Sequence, residues 1–454
     1  MDIKAIEKLI SGDALRQRKI ECQKRYAGGY NVAILGRAAH EEPDSRIPLP
    51  IARKGIRFVT GYMAKPGQIV YSSEDGYADT TLMPIFDTND EQLLTQELFE
   101  TALTHGEAWE YHYTQDGEKR FVEVPYGQCV PIWNNELPPK LVGMIRYYKE
   151  KDEEGGDKAE VYFYDGTSIT KYEGKDFNSL ELSVESEHAY GEVPFVQYKI
   201  SRDCSNLFDC VLPLIDEFDR VVSEDHANEA RRFANSYLLL RNRLNTERDE
   251  EGKTELDRLK ETRTFEDLGE NVNTAVSFLT KNIPIEFIKN TTETFERLIY
   301  DMMQIINPNN VADTGEISGV ALAYKLLQFE YFCASCEAYF SRGLQWRIRL
   351  IQNVSGNMKA KPQDRPQVDI LFRRNLPFDM QSAVDQFTKL SGKELPTEIA
   401  LKVFPADFIP DPAQTAKEMD DKAQEDADIF AENMKASKEA NPIDNTTKEV
   451  NADA

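Results

Sequence analysis

The residue types that could do chemistry here are six cysteines, five histidines and a large excess of acidic over basic side chains. None of them falls into a catalytic spacing. Gly252-Lys253-Thr254 ends like a phosphate-cradling loop, but such a loop needs a glycine where Glu247 stands. Gly315-Glu316-Ile317-Ser318-Gly319 reads G-x-x-S-G, not the G-x-S-x-G of a nucleophile elbow, and no strand precedes it. It reads better as a loop, with Ser318 as a candidate N-cap for the helix that follows. Cys333 and Cys336 form a CxxC in mid-helix without a second pair, whereas a structural zinc site needs four ligands. They read as small helix-packing residues. His105 and His112 flank Glu107 at a spacing unlike H-E-x-x-H, so core or surface histidines are expected. Clusters such as Asp152-Glu153-Glu154 and Asp420-Asp421 read as solvated faces. The expectation is no catalytic residue, no metal and no cofactor.

Composition narrows the class further. The chain has 454 residues, 41% of them apolar, which is enough for two to four modules with a sizeable core. No window approaches the ~18 consecutive apolar residues of a membrane span. The first 26 residues have no apolar core of a signal peptide and read as one amphipathic helix with Ile3, Ile6, Leu9 and Ile10 on one side. The sparse cysteines suggest reduced thiols and folding in a cytoplasm. The formal net charge of −25 is the wrong overall sign for gripping phosphates. Either the chain does not meet nucleic acid, or it must avoid sticking to it.

The elements that would carry these residues read as follows. A polar loop runs to about 46, then a helix, turn signals and the strand QIVY. A helix over 91–104 with a Leu93, Leu94, Leu98 and Leu103 stripe ends at Gly106. Strands follow at AWEYHYT, RFVEVP, CVPIWN, LVGMIRYYK, EVYFYD and SITKYE, so 46–200 is an α+β module. Residues 211–235 are helical, with Leu214, Phe218 and Val221/Val222 on one face. YLLLRNRL and AVSFLTKNIPIEFI (275–288) read as strands around an exposed, charge-rich 247–270. A helix over 291–306 carries Phe295, Leu298, Ile299, Met302, Met303 and Ile306. After the loop 307–319, residues 320–353 hold no proline and only Gly343, which gives a helix of roughly 50 Å. It is apolar on two faces: Leu322, Leu326, Phe329, Cys333 and Phe340 on one, Val320, Tyr324, Leu327 and Tyr331 on the other. A strand VDILFRR, two small helices broken at Ser391-Gly392, and an acidic tail complete the chain. No internal repeat is visible.

The ordered set resembles one family. ELFETALTHGEAWEYHYTQDGEKRFVEVPYGQCVPIWN resembles a helix ending A-L-x-x-G, then strand–D-G–strand, then a proline-bearing strand, of the portal proteins of long-tailed phages. PLIDEFDRVVSEDHANEARRFANSYLLLRN resembles that family's I-D-x-Y-D-x-x-x-S-D-x-x-N-E-x-x-x-F segment, with Phe218 where Tyr is common. FLTKNIPIEFIKNTTETFERLIYDMMQIINPNN with Ser318-Gly319-Val320-Ala321-Leu322 resembles its stretch from stem through tunnel loop to long helix. The resemblance covers roughly 46–404.

It implies an α+β, mainly helical portal fold of wing, stem, clip and crown, closed into a ring of typically about twelve subunits at one capsid vertex. On this chain the wing would be 1–210 with the long helix and strand of 320–375. The stem helices would be 211–235 and 290–306, the clip 236–289, the tunnel loop 307–319, the crown 376–440, and 441–454 a disordered acidic tail. The DNA-proximal residues would be Asn309, Asn310, Asp313, Thr314, Glu316 and Ser318. This stretch contains no Lys or Arg, so it would touch DNA sterically. Motor and adaptor docking would fall to Arg248, Asp249, Glu250, Glu251, Lys253 and Arg258. The implied partners are double-stranded DNA passing without sequence-specific binding, the terminase packaging motor, a head-completion adaptor, and the major capsid and scaffold proteins. The chain would assemble in the host cytoplasm and reside in the virion. The competing readings are another head–tail adaptor or minor capsid protein, and a hydrolase with an unrecognised site.

Overall fold

The computed structural model describes residues 2–38, 44–151, 156–228, 237–240, 248, 252–254, 276–279, 285–307, 319–357, 364–374, 380–391, 395–402, 404, 408–409, 412–422, 424–425 and 429. The chain divides into two compact units, 1–375 and 376–454.

The amphipathic N-terminus is two helices, not one: α1 (Ile3–Gly12) and α2 (Ala14–Ala27). Asp13 lies at the joint, and its carboxylate accepts hydrogen bonds from Arg16, Gln17 and Tyr147. Burial alone would raise its pKa, but these donors and the Arg16 charge hold it below the usual carboxylate range. Ile6 and Ile10 are buried, whereas Leu9 faces solvent. The polar stretch up to 46 contains the short helix α3 (Val32–Leu35), capped by the Asn31 side chain accepting from the Ile34 N–H. Helix α4 (Ile51–Met63) then leads to β1 (Ile69–Ser72). After a π-helical turn come α5 (Met83–Thr88) and α6 (Glu91–His105). Leu94, Leu98, Phe99, Ala102 and Leu103 of α6 are buried, but Leu93 points outward. Gly106 ends α6 at φ +91, as expected of a C′ glycine. A Cβ there would sit 1.8 Å from the Cys204 carbonyl oxygen, so no other residue fits.

Eight strands follow, two more than the sequence reading found. β2 (Glu107–Gln115) and β3 (Glu118–Val124) form a hairpin. β4 (Cys129–Trp133), β5 (Leu141–Lys151), β6 (Asp157–Tyr164) and β7 (Ser168–Gly174) form a meander. The additional two are β8 (Glu181–Glu187) and β9 (Phe195–Lys199). β8 alternates only Leu182 and Val184 with acidic and serine side chains, and no face of it is buried. The sheets are antiparallel, ordered β3-β2-β9 and β4-β5-β6-β7-β8. Trp109, Val124, Met144, Tyr164 and Phe195 fill the joint between them. Helix α1 covers the five-stranded sheet through Ile6 and Ile10 against Ile145, Val161 and Tyr172.

Helix α7 (Leu212–Val221) runs into a π-helical turn over Val222–Asn228. β10 (Tyr237–Leu240) pairs antiparallel with β11 (Val276–Leu279). The strand expected to reach residue 288 stops earlier, because Ile285–Ile288 already belong to α8 (Ile285–Met302). α8 also ends before the expected 306, where Gln304 turns to φ +58. Ile299, Tyr300 and Met303 are buried, but Met302 is exposed. Helix α9 (Gly319–Gln352) has the expected length, and β12 (Asp369–Phe372) returns to pair with β1. One large core joins α4, α6, β9, α7, α8 and α9.

In the second unit, α10 (Met380–Ser391) and α11 (Thr397–Leu401) are the two expected small helices, with Phe387 stacked at a tilt on Phe404. Residues 412–422 are helical.

Candidate functional site

The candidate passage elements are a helix pair, the strand ribbon between its members, and the long helix. α7 starts with Pro213 in its first turn, where the missing N–H costs nothing. Ile215 and Phe218 of α7 share a buried cluster with Ile299 and Tyr300 of α8. The remaining faces are acidic. Residues 212–228 and 285–302 together hold nine carboxylates against three cations, Arg220, Lys289 and Arg297.

α7 is also fastened by a polar clasp to the segment 31–49. The Asn31 amide donates to Asp219 Oδ2 at 2.7 Å and the Leu49 N–H to Oδ1 at 3.1 Å. The Ile47 N–H donates to Ser223 Oγ, and the Ser45 N–H to Asn228 Oδ1. Tyr26 donates to Asp216, and Arg37 pairs with Glu224. Asp216, Asp219, Ser223, Glu224 and Asn228 of the I-D-x-F-D…S…N stretch therefore each have a structural partner. In the family pattern Ser and Asn stand four apart. Here Ser223 and Asn228 are one residue further, and the π-helical turn takes up the extra residue. Asp219 has no cation beside it. Burial pushes its pKa up to about 6, partly offset by the Asn31 and Leu49 hydrogen bonds, and Asp216 adds to the rise.

The ribbon β10–β11 stands where the clip was expected, between the two helices in chain order. Of the six docking residues named from sequence, Arg248 is exposed and Lys253 half-buried beside Gly252 (φ +77). Asp249, Glu250, Glu251 and Arg258 lie outside the described residues. So do all six tunnel-loop residues, Asn309, Asn310, Asp313, Thr314, Glu316 and Ser318, and with Ser318 the expected helix cap. The entry to that loop is fixed: the Ile305 N–H donates to the Tyr300 carbonyl, and the Asn307 amide to Glu296 Oε1 at 2.8 Å.

Helix α9 has two characters. Leu326, Phe329, Cys333 and Phe340 are buried, as the first stripe requires. Phe329 packs on Tyr62 and Phe340 on Phe99, with ring centroids 4.9 and 5.0 Å apart. On the second stripe Leu327 is 43% and Tyr331 68% exposed. The Leu322, Val320 and Tyr324 side chains lie outside the described set. Gly343 is needed where the helix crosses β9, since a Cβ there would meet the Tyr198 ring at 2.4 Å.

The buried centre of the molecule was not visible in the sequence. Arg347 of α9 is wholly buried and reaches two carboxylates. Its Nε donates to Glu110 Oε2 at 3.0 Å, and its Nη1 donates to Glu91 and to Thr95 Oγ1. His112 hydrogen-bonds Glu110, Tyr71 donates to Glu91, and the Phe121 and Tyr198 rings flank the guanidinium at 5.0 and 5.3 Å. Burial alone would push the Glu110 pKa up; Arg347 and His112 reverse that and hold it low. The arrangement is a satisfied structural hub with no open side for a substrate. The only sequence signal was an arginine on an apolar stripe.

The other candidates resolve as packing. His105 is buried, hydrogen-bonds Gln23 and is pushed down to about 4, chiefly by burial. Cys333 and Cys336 are buried on α9, and burial raises both thiols. Among the described residues no group of side chains could hold a metal, and no helix is long and apolar enough to cross a membrane.

Comparison with known proteins decides the assignment. The pattern of the phage portal protein family, SPP1 Gp6-like, matches residues 6–428. The chain belongs to that family. It is a phage portal protein, a structural component of the head–tail connector of a virion, with the α+β, mainly helical portal fold. Its structure is similar, at a TM-score of 0.46 and 10% identity, to a chain from the neck of an empty GTA particle computed with C6 symmetry. That likeness covers 78% of this chain and 90% of the other. No curated protein matches by sequence.

Proposed function

We propose that this portal subunit closes into a ring at the unique capsid vertex, that the genome passes through its centre during packaging and ejection, and that the chain catalyses nothing itself. The family match over 6–428 carries this reading. In it, units 1–210 and 320–375 form the wing, α7 and α8 the stem, and the segment around β10–β11 the clip. Residues 307–319 form the tunnel loop and 376–440 the crown. Charge supports the reading. Twelve copies at −25 each come to about −300 before counterions, and the stem helices share the sign. A negative wall repels phosphates, so DNA slides without being held. The loop residues Asn309, Asn310, Asp313, Thr314, Glu316 and Ser318 then meet DNA by shape. The clip residues around Arg248 to Arg258 dock the terminase motor and later the head-completion adaptor, and the wing meets capsid and scaffold proteins.

Native mass measurement and negative-stain microscopy of the purified chain test the ring. Closed rings with a central channel are expected, and a chain that stays monomeric at all concentrations overturns the proposal. Deleting 248–262 is expected to leave rings intact and abolish stimulation of the motor ATPase. Unchanged stimulation removes the docking assignment alone.

A further inference from the structure

The ring reading leaves open which surfaces of neighbouring subunits meet. A closed ring needs two different, complementary patches on each copy. One candidate patch is an open groove of ≈ 1290 Å³ between the β4–β5 connection, β9 and the C-terminal half of α9. Its walls carry Trp133, Tyr339 and Trp346 together with Lys199, Arg342 and Arg349. Arg349 is paired with Glu192, but Lys199 and Arg342 make no ion pair among the described residues. In a chain of net charge −25, a groove lined by aromatic side chains and two cations without an ion pair is set up for an acidic, partly apolar segment.

β8 has that chemistry. It is the last strand of the five-stranded sheet, so one of its edges is unpaired. All seven of its residues are exposed. Glu181, Glu185 and Glu187 carry its charge without a cation, and Leu182 and Val184 are more than half exposed. Charged edge strands also serve to prevent pairing between sheets. Here, however, the same chain supplies the matching cations elsewhere. The groove adjoins β4, the opposite edge of the same sheet. Four strand spacings, about 19 Å, separate the two edges. A contact from one edge to the other is head-to-tail, as a ring requires.

We infer that β8 of one subunit docks in the Trp133–Lys199–Arg342–Trp346 groove of the next. This rests on the ring reading above. The test uses two full-length variants. One is Glu181→Lys/Glu185→Lys/Glu187→Lys; the other is Lys199→Glu/Arg342→Glu, with Arg342→Glu alone as substitute if circular dichroism shows the double variant unfolded. Each variant by itself places like charges across the contact and is expected to assemble at least tenfold more weakly than the wild type in mass photometry. Mixing the two restores opposite charges at every contact in an alternating ring, so assembly is expected to return. Wild-type rings with either variant assembling normally, or with no recovery in the mixture, overturn the inference and leave the ring reading standing. Absence of wild-type rings removes the ring reading itself.

Discussion

Two buried carboxylates of this chain are handled in opposite ways. Glu110 sits at the centre of the first unit with Arg347 bonded to both of its oxygens and His112 to one. Asp219 on α7 is equally inaccessible to solvent, yet its donors are a neutral amide and a backbone N–H. The first is held ionised over the whole physiological range. The second is pushed up to about 6, and its charge is a cost the fold carries. The hub therefore fixes α9 to the sheet and α6 unconditionally, whereas the clasp that fixes α7 to the 31–49 segment depends on pH. In the proposed assembly the rigid attachment belongs to the wing and the conditional one to the stem.

The contrast can be broken at its strong end first. Arg347→Met leaves Glu91 and Glu110 buried without the guanidinium that neutralises them and is expected to destabilise the fold by about 3–5 kcal/mol, measured by denaturant unfolding. A loss below about 1 kcal/mol would mean that the hub is not what holds α9. Gly343→Ala pushes a methyl into the Tyr198 ring beside the same hub, and about 1–3 kcal/mol is expected. The clasp is probed by pH. An acid whose folded pKa exceeds its unfolded value binds its proton more tightly when folded, so stability falls as pH rises from about 4 to about 6 and is level above that. Wild type minus Asp219→Asn stability is therefore expected to grow as pH drops from 7 to 5; a flat difference refutes the contrast. The smallest effect is on the uncovered stripe of α9. Leu327→Ser and Tyr331→Ser are expected to change monomer stability by no more than about 0.5 kcal/mol while weakening self-association, read by native mass.

Much of the frame was legible because its signals are local. The α6 stripe with Gly106, the first six strands of the module, the span of α9 and the break at Ser391-Gly392 all follow from periodicity and turn residues. Errors came where local signals were ambiguous. Leu9, Leu93 and Met302 fit an apolar stripe by spacing but face solvent, since a stripe gives a direction and not the width of what covers it. Ile285–Ile288, apolar and short, read as strand and folded as the first turn of α8.

The sequence by itself determined the class: an acidic, α+β, mainly helical chain with no catalytic spacing, and an ordered set of segments that marks the portal family. The pairing of β1 with β12, the satisfied trio Arg347, Glu91 and Glu110, and the placement of β8 opposite the groove were decided only by the tertiary structure. Each joins residues distant along the chain, and no local propensity encodes which distant partner will neutralise a charge or close a sheet.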